Sequence, residues 1–372
     1  MVVADSGLEG VVAASSSICD VDGLNGVLIY RGYDIRDLAH NSNFEETTCL
    51  LWNADLPDRA TLESFRADIQ ANMVLPGPIV DLLRSFPRSA PLTAILRTAF
   101  SAMAIYDEDV SDGSIEAVRR KAIRATARMG PLVAAIHRVS ADLPILEPRE
   151  GSIAGNFLYL LHGEWPDEVS EHVYDVCLVL HADHEFNAST FAARVTMATL
   201  SDYHSAITSA LGALFGPLHG GANEGAIKML REIGTPDRAA AWVRAALARK
   251  QRIMGFGHRV YKVYDPRARE LKDMSRALAA AQGDMSLYES SVEIEKVMES
   301  DRKLFPNVDF YSASTFTALG IPGALFTPIF AVSRIAGWSA HVMEQLTHNR
   351  LIRPRAEYLG ERGRSYIPIQ ER

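Results

Sequence analysis

The segment Gly255-Phe256-Gly257-His258-Arg259-Val260-Tyr261-Lys262-Val263-Tyr264-Asp265-Pro266-Arg267 gathers a histidine, its neighbour Arg259 and two further cations, Lys262 and Arg267, into one short stretch. Glycine lets the backbone approach a ligand closely, and Asp-Pro favours a turn and breaks any helix running through it. A loop histidine that donates a hydrogen bond, beside an arginine that grips a carboxylate, suits an anionic carbonyl compound. Taken alone the segment also reads as a basic surface turn. Three further clusters supply it with partners.

The first is His181-Ala182-Asp183-His184-Glu185-Phe186-Asn187, where an amphipathic helix breaks into a loop. His184 is expected to point into a cleft, whereas His181 and Glu185, four apart, could simply pair on one helix face. Neither HExxH nor a facial-triad spacing is present, so no metal is expected. The second is Gly216-Pro217-Leu218-His219-Gly220-Gly221-Ala222-Asn223-Glu224, with His219 just ahead of a helix starting near Asn223. A helix N-terminus disfavours positive charge, so this imidazole is expected to stay neutral and donate a hydrogen bond; a packed core histidine is the other reading. The third is Asn307-Val308-Asp309-Phe310-Tyr311-Ser312. Asp309 between apolar neighbours becomes a stronger base if desolvated, or else is an exposed cap.

Arg334 lies in an otherwise apolar run, where an unpaired charge is costly, so it must meet a protein carboxylate or an anionic ligand. Arg353 adds another cation. One base, two imidazoles and three arginines fit carbon–carbon bond formation between an enolisable thioester and a dianionic keto acid. Asp309 would remove the proton, one neutral imidazole would donate to the enol oxygen, and the other would polarise the keto group while arginines hold the carboxylates.

The elements that must position these groups are almost all helical. Leu62, Phe65, Ile69 and Met73 recur at three- and four-residue steps, as do Val169, Val173, Val176, Cys177 and Leu180. Leu92, Ile95, Leu96, Ala99, Phe100 and Met103 form another buried stripe after Pro91. The β signal lies near the start, where Ile18 and Val27–Tyr30 flank Asp22-Gly23-Leu24-Asn25-Gly26 and predict a small hairpin. The fold class is therefore all-α, with two domains suggested by length. Residues 1–220 form the first part of a large helical domain, 221–320 a smaller inserted one entered and left through hinge loops, and 321–372 the return to the large domain.

Hydrophobic content of 48%, charged content of 23% and a net charge of −8 without long single-sign runs describe an ordinary globular chain. They argue against nucleic acid or an anionic membrane as its main partner. Cys19, Cys49 and Cys177 are sparse and scattered, which fits reduced thiols in the cytoplasm. Asp5 and Glu9 stand where a signal peptide would need a basic start. The apolar region from Gly320 to Trp338 is interrupted by Pro322, Pro328 and Arg334, too broken for a membrane span.

Taken in order, these clusters resemble the citrate synthase family in its short bacterial and archaeal form. The resemblance runs from Gly7-Leu8-Glu9-Gly10-Val11 to Leu351-Ile352-Arg353-Pro354-Arg355, and four ordered motifs carry it. It implies a helical two-domain fold with a small N-terminal β-hairpin that closes over oxaloacetate. It implies that His258 contacts the oxaloacetate carbonyl, His219 the enol of acetyl-CoA, and that Asp309 is the base. His184, Arg267 and Arg334 would bind oxaloacetate or citrate, and Lys262 the coenzyme A phosphates. Arg353 matches an arginine that the family supplies from the neighbouring subunit of a homodimer. Acetyl-CoA enters as cosubstrate, with no permanently bound cofactor. The extended N-terminal domain of the NADH-regulated hexameric relatives is missing, so that regulation is not expected. Two alternatives stay open: 2-methylcitrate synthase, which differs by one substrate methylene worth only about 1–3 kcal/mol in a pocket, and a non-catalytic helical scaffold that binds acyl-CoA or protein.

Overall fold

Side chains repeating every three to four residues produce the helices that the sequence predicts. The Leu62–Met73 stripe folds as helix Arg59–Asn72, whose N-terminus is capped by Asp58 accepting from Thr61 N at 2.8 Å. The Val169–Leu180 stripe lies in Glu168–His181, capped by Asp167, and the stripe after Pro91 in Leu92–Met103. The structure is a computed structural model and describes residues 7, 8, 10–220 and 222–372. Asp5, Glu9 and Gly221, which entered the sequence reading, lie outside the described residues. Helix accounts for 62% of the chain and strand for 3%, which makes the fold all-α with one small sheet.

That sheet is the expected hairpin with one added edge. Strand β1 (Cys19–Asp22) pairs antiparallel with β2 (Val27–Tyr30), and β2 with the short β3 (Tyr33–Asp34). Asp22 Oδ1 accepts from the backbone N–H of Leu24 and Asn25, both at 3.0 Å, closing the turn. The tip rests on the Gly255–Arg267 segment. A Cβ at Gly23 would lie 2.3 Å from Val260 O, and Gly23 O accepts from Lys262 N at 2.8 Å.

Two features depart from local reading. Asp265-Pro266 starts a helix rather than stopping one: Asp265 caps Pro266–Gln282, and proline at the first helical position has no N–H to leave unpaired. The interrupted apolar region becomes a short 3-10 turn, Gly323–Leu325, followed by the 22-residue helix Phe326–Thr347 with Pro328 in its first turn. This helix is buried on nearly every side and packs against Phe44–Asn53, Ile115–Ser140, Glu168–His181, Ala188–Met197 and Tyr203–Leu214. No helix among the described residues is long and apolar enough to cross a membrane. Earlier in the chain than helix Phe326–Thr347, Ala222–Ile233, Pro236–Ala248, Pro266–Gln282, Ser286–Arg302 and Val308–Ala318 pack chiefly on one another. Pro266–Gln282 also touches Glu168–His181, and Ala222–Ile233 touches Phe326–Thr347. Of the sequence-derived site residues, Arg267, Asp309 and Arg334 lie on these helices and His184 just beyond the end of Glu168–His181.

Candidate active site

The His258 loop and Asp309 are locked together through main-chain atoms. Gly257 N–H donates to Phe305 O at 3.1 Å, Asn307 N–H to Gly255 O at 2.9 Å, and Asn307 Nδ2 to Gly257 O at 2.9 Å. Gly255 has φ +81°, and a Cβ there would meet Phe310 at 2.7 Å, so only glycine allows this approach. Asn307 then caps helix Val308–Ala318 by accepting from Asp309 N, and leaves the Asp309 carboxylate without a hydrogen-bond donor among the described residues. Burial pushes this carboxyl up to about 6, against the opposing pull of Arg267. It is a carboxylate made more basic, still ionised at neutral pH.

His258 and His219 are neutral and present opposite nitrogens. His258 Nδ1 accepts from the backbone N–H of Val260 at 3.0 Å and Tyr261 at 3.2 Å, which places its proton on Nε2. The backbone N–H of Ser189 donates to His219 Nε2 at 3.3 Å, and Ser189 Oγ lies 2.9 Å from the same nitrogen. The His219 proton therefore sits on Nδ1. Burial, then Arg267, lowers His258 to about 4. Burial, then the Arg334 charge, lowers His219 to about 4. Desolvation thus accounts for a neutral His219, where local sequence suggested the helix end just after it.

The cationic side of the site is deeper. Arg267 is 2% exposed and its Nε and one terminal nitrogen form a fork on Asp265 at 3.0 and 2.8 Å; Asp265 also accepts from Val308 N at 3.2 Å. Arg334 is 4% exposed, donates from Nε to His181 O at 2.6 Å, and makes no ion pair among the described residues. The Asp183 charge supports it without touching it, so no carboxylate among the described residues is its direct partner. His184 Nε2 lies 3.2 Å from Tyr261 Oη, and its ring stands 5.5 Å from that of His258, centroid to centroid. Burial, then Arg267, holds His184 well below the usual histidine range. His181 does not pair with Glu185; it donates from Nδ1 to Cys177 O and packs edge-on to Phe330.

Lys262 and Arg353 stand apart from this cluster. Lys262 is exposed and folds its Nζ onto Arg259 O at 2.9 Å. Arg353 is exposed on the extended segment after Phe326–Thr347 and bonds to none of the other candidate residues. Local spacing did not reveal Tyr261, Ser189 or the fork made by Asp265. For Asp265 the signal existed, since Asp followed by Pro is a helix-start pattern. For Tyr261 and Ser189 none did.

A separate cavity of about 980 Å³ is lined by Glu45, Arg66, Glu150, Glu171, His172 and Asp175, among others. Burial, then Glu45, pushes Asp175 up to about 8, and the acidic wall would repel an anion. None of the candidate site residues lines it.

A carboxylate of raised basicity, two neutral imidazole donors and two buried guanidinium groups define an acid–base apparatus for an anionic carbonyl compound, built on helices. Residues 7–355 match the family described as citrate synthase, C-terminal domain. The chain is 50% identical to Citrate synthase 2 of Bacillus subtilis strain 168, over 99% of each chain, and 41% identical to a 2-methylcitrate synthase of Shewanella oneidensis, over 99% and 98%. Among solved structures it is similar to citrate synthase from Pyrobaculum aerophilum (42% identity, TM-score 0.91, covering 98% of this chain and 95% of that one). It is equally similar in fold to the citrate synthase of Thermoplasma acidophilum, solved as a ternary complex with carboxymethyl coenzyme A and oxaloacetate (33% identity, TM-score 0.91, 98% and 99%). The chain belongs to the citrate synthase family of enzymes.

Proposed function

We propose that the protein condenses acetyl-CoA with oxaloacetate and hydrolyses the resulting citryl-CoA to citrate and CoA, the first step of the tricarboxylic acid cycle. The observation that carries this reading is the pairing of an unshielded Asp309 carboxylate near pKa 6 with two neutral imidazoles whose free N–H groups are set by backbone amides. Asp309 takes a proton from the acetyl methyl group while His219 Nδ1–H donates to the thioester oxygen, so the enol forms without full charge on either side. The enol carbon bonds to the keto carbon of oxaloacetate as the enol proton returns to His219 Nδ1. His258 Nε2–H protonates the keto oxygen, which becomes the citrate hydroxyl, and the proton held by Asp309 is released as His258 takes one up from solvent. Water then cleaves the thioester.

Arg267, Arg334 and His184 hold the oxaloacetate carboxylates. Arg353, exposed and unattached in one chain, reaches the site of a second copy in a homodimer, and Lys262 meets the coenzyme A phosphates. Residues 221–320 act as a small domain that closes over oxaloacetate, carrying the His258 loop with it and excluding water until the second substrate binds. Acetyl-CoA is a cosubstrate, no cofactor is held permanently, and the enzyme works in the cytoplasm. The Thermoplasma relative in its ternary complex supports this choice of substrates.

The test is release of free CoA by the purified protein, followed with a thiol reagent. Release from acetyl-CoA that requires oxaloacetate is expected. Acetyl-CoA binding without turnover would leave the scaffold reading instead, and a higher kcat/KM for propionyl-CoA would move the assignment to 2-methylcitrate synthase.

A further inference from the structure

Three consecutive residues ahead of His184 are held by one face of helix Phe326–Thr347. Arg334 Nε donates to His181 O at 2.6 Å, Gly337 N–H donates to Ala182 O at 3.1 Å, and His341 Nε2 lies 3.2 Å from Asp183 Oδ2. Positions 334, 337 and 341 are separated by three and four residues, so they form one stripe. At Gly337 a Cβ would stand 2.3 Å from both Ala182 O and Asp183 Oδ1, so the turn lies directly on the helix backbone.

The direction of the His341 bond follows from its other neighbour. Arginine has donors only, and an Arg194 terminal nitrogen lies 3.1 Å from His341 Nδ1, so Nδ1 accepts and the proton sits on Nε2, facing Asp183. Arg194 is held in turn by Glu344 Oε2 at 2.6 Å, and Glu344 Oε1 accepts from Ser17 N at 2.8 Å. On the far side, Tyr30 Oη donates to Asp183 O at 2.8 Å and accepts from Asp183 N at 3.0 Å. Asp183 and His341 are both 0% exposed. A well-packed apolar pair would stabilise the same space at least as well. What the polar chain adds is a fixed register between two anion-binding groups, His184 on the turn and Arg334 on the helix.

We propose that His341 is a positioning residue: through Asp183, and with Gly337 admitting the turn, it sets the His184 ring against the Arg334 guanidinium so that both meet one small dianionic keto acid. The substrate part of this statement rests on the proposed function; the placement of His184 does not.

The test compares His341→Ala, His341→Gln, Gly337→Ala and a control, Leu96→Ala, which empties a fully buried position elsewhere in the core. His341→Ala is expected to lower kcat/KM for oxaloacetate about 10²-fold, the scale of a misplacement near 1 Å. The loss should fall on KM for oxaloacetate, with kcat and KM for acetyl-CoA within about threefold. His341→Gln should restore most of it, because one amide offers Asp183 a donor and Arg194 an acceptor. Gly337→Ala should repeat the loss with His341 intact. In ¹⁵N-histidine NMR spectra the His184 ring signals, identified by their loss in His184→Gln, should move in His341→Ala and return in His341→Gln. Leu96→Ala should change stability while leaving both KM and the His184 signals alone. An unmoved His184 signal in His341→Ala, or an equal KM change in Leu96→Ala, overturns the proposal. Absence of turnover in the unaltered protein would instead overturn the proposed substrates, with the NMR comparison still deciding the role of His341.

Discussion

The Gly255–Arg267 loop and the His181–Asn187 turn each deliver a histidine to the same site, and they are built by opposite means. Around His258 the fixing bonds are mostly main-chain: Gly257 to Phe305, Asn307 to Gly255, and two amides onto His258 Nδ1. Side chains there, such as Val260 and Lys262, are left exposed. Around His184 the turn lies over buried side chains, with Asp183, His341 and Arg194 bonded in series. Backbone fixing sets a tautomer through amides and tolerates side-chain change except where glycine admits a close approach. Side-chain fixing sets a distance and depends on every member of the chain. The proposed base, Asp309, belongs to the first region, and Arg334, which forms no ion pair among the described residues, to the second.

Substitutions can break this contrast, beginning with the largest expected effect. Asp309→Asn should lower kcat by about 10²–10⁴-fold while sparing oxaloacetate binding; normal turnover would remove the base from the loop side. Asp265→Ala takes the fork from Arg267 and the acceptor from Val308 N, leaving a buried charge uncompensated, so urea unfolding should show a loss of about 3–5 kcal/mol. A loss no larger than that of a surface substitution would mean Arg267 finds another partner. Gly255→Ala combines φ +81° with a clash on Phe310 and should cost about 1–3 kcal/mol in the same assay.

The pH profile sharpens the comparison further. As the proposed base, Asp309 must be unprotonated, so kcat/KM should fall about tenfold per unit as pH drops below about 6. His219 and His258, each held down to about 4, should add no inflection between pH 6 and 8. The smallest effect concerns stability. A carboxyl whose folded pKa is raised contributes stability below its unfolded pKa and loses it as pH rises through the folded one. Asp309→Asn should therefore melt at a higher Tm than the unaltered protein at pH 8, with the gap shrinking toward pH 4. A lower Tm at pH 8 would mean that Asp309 is stabilised by contacts beyond those seen.

What the sequence determined by itself is local. Apolar residues at helical spacing placed the helices Arg59–Asn72, Leu92–Met103 and Glu168–His181, and Asp22–Gly26 placed the hairpin, because period and turn chemistry act over a few residues. His184, His219, His258, Asp309, Arg267 and Arg334 also stood out, since each sits where glycines, a helix end or apolar neighbours make a polar group unusual. Asp265-Pro266 was legible but ambiguous, as the same pair serves a turn or a helix start. Only the tertiary structure decided how those groups are set. Ser189 fixes the His219 tautomer across 30 positions, Tyr261 meets His184 across 77, and His341 meets Asp183 across 158. Hydrogen bonds and desolvation depend on distance in space, and no local pattern encodes a partner that folding brings from so far along the chain.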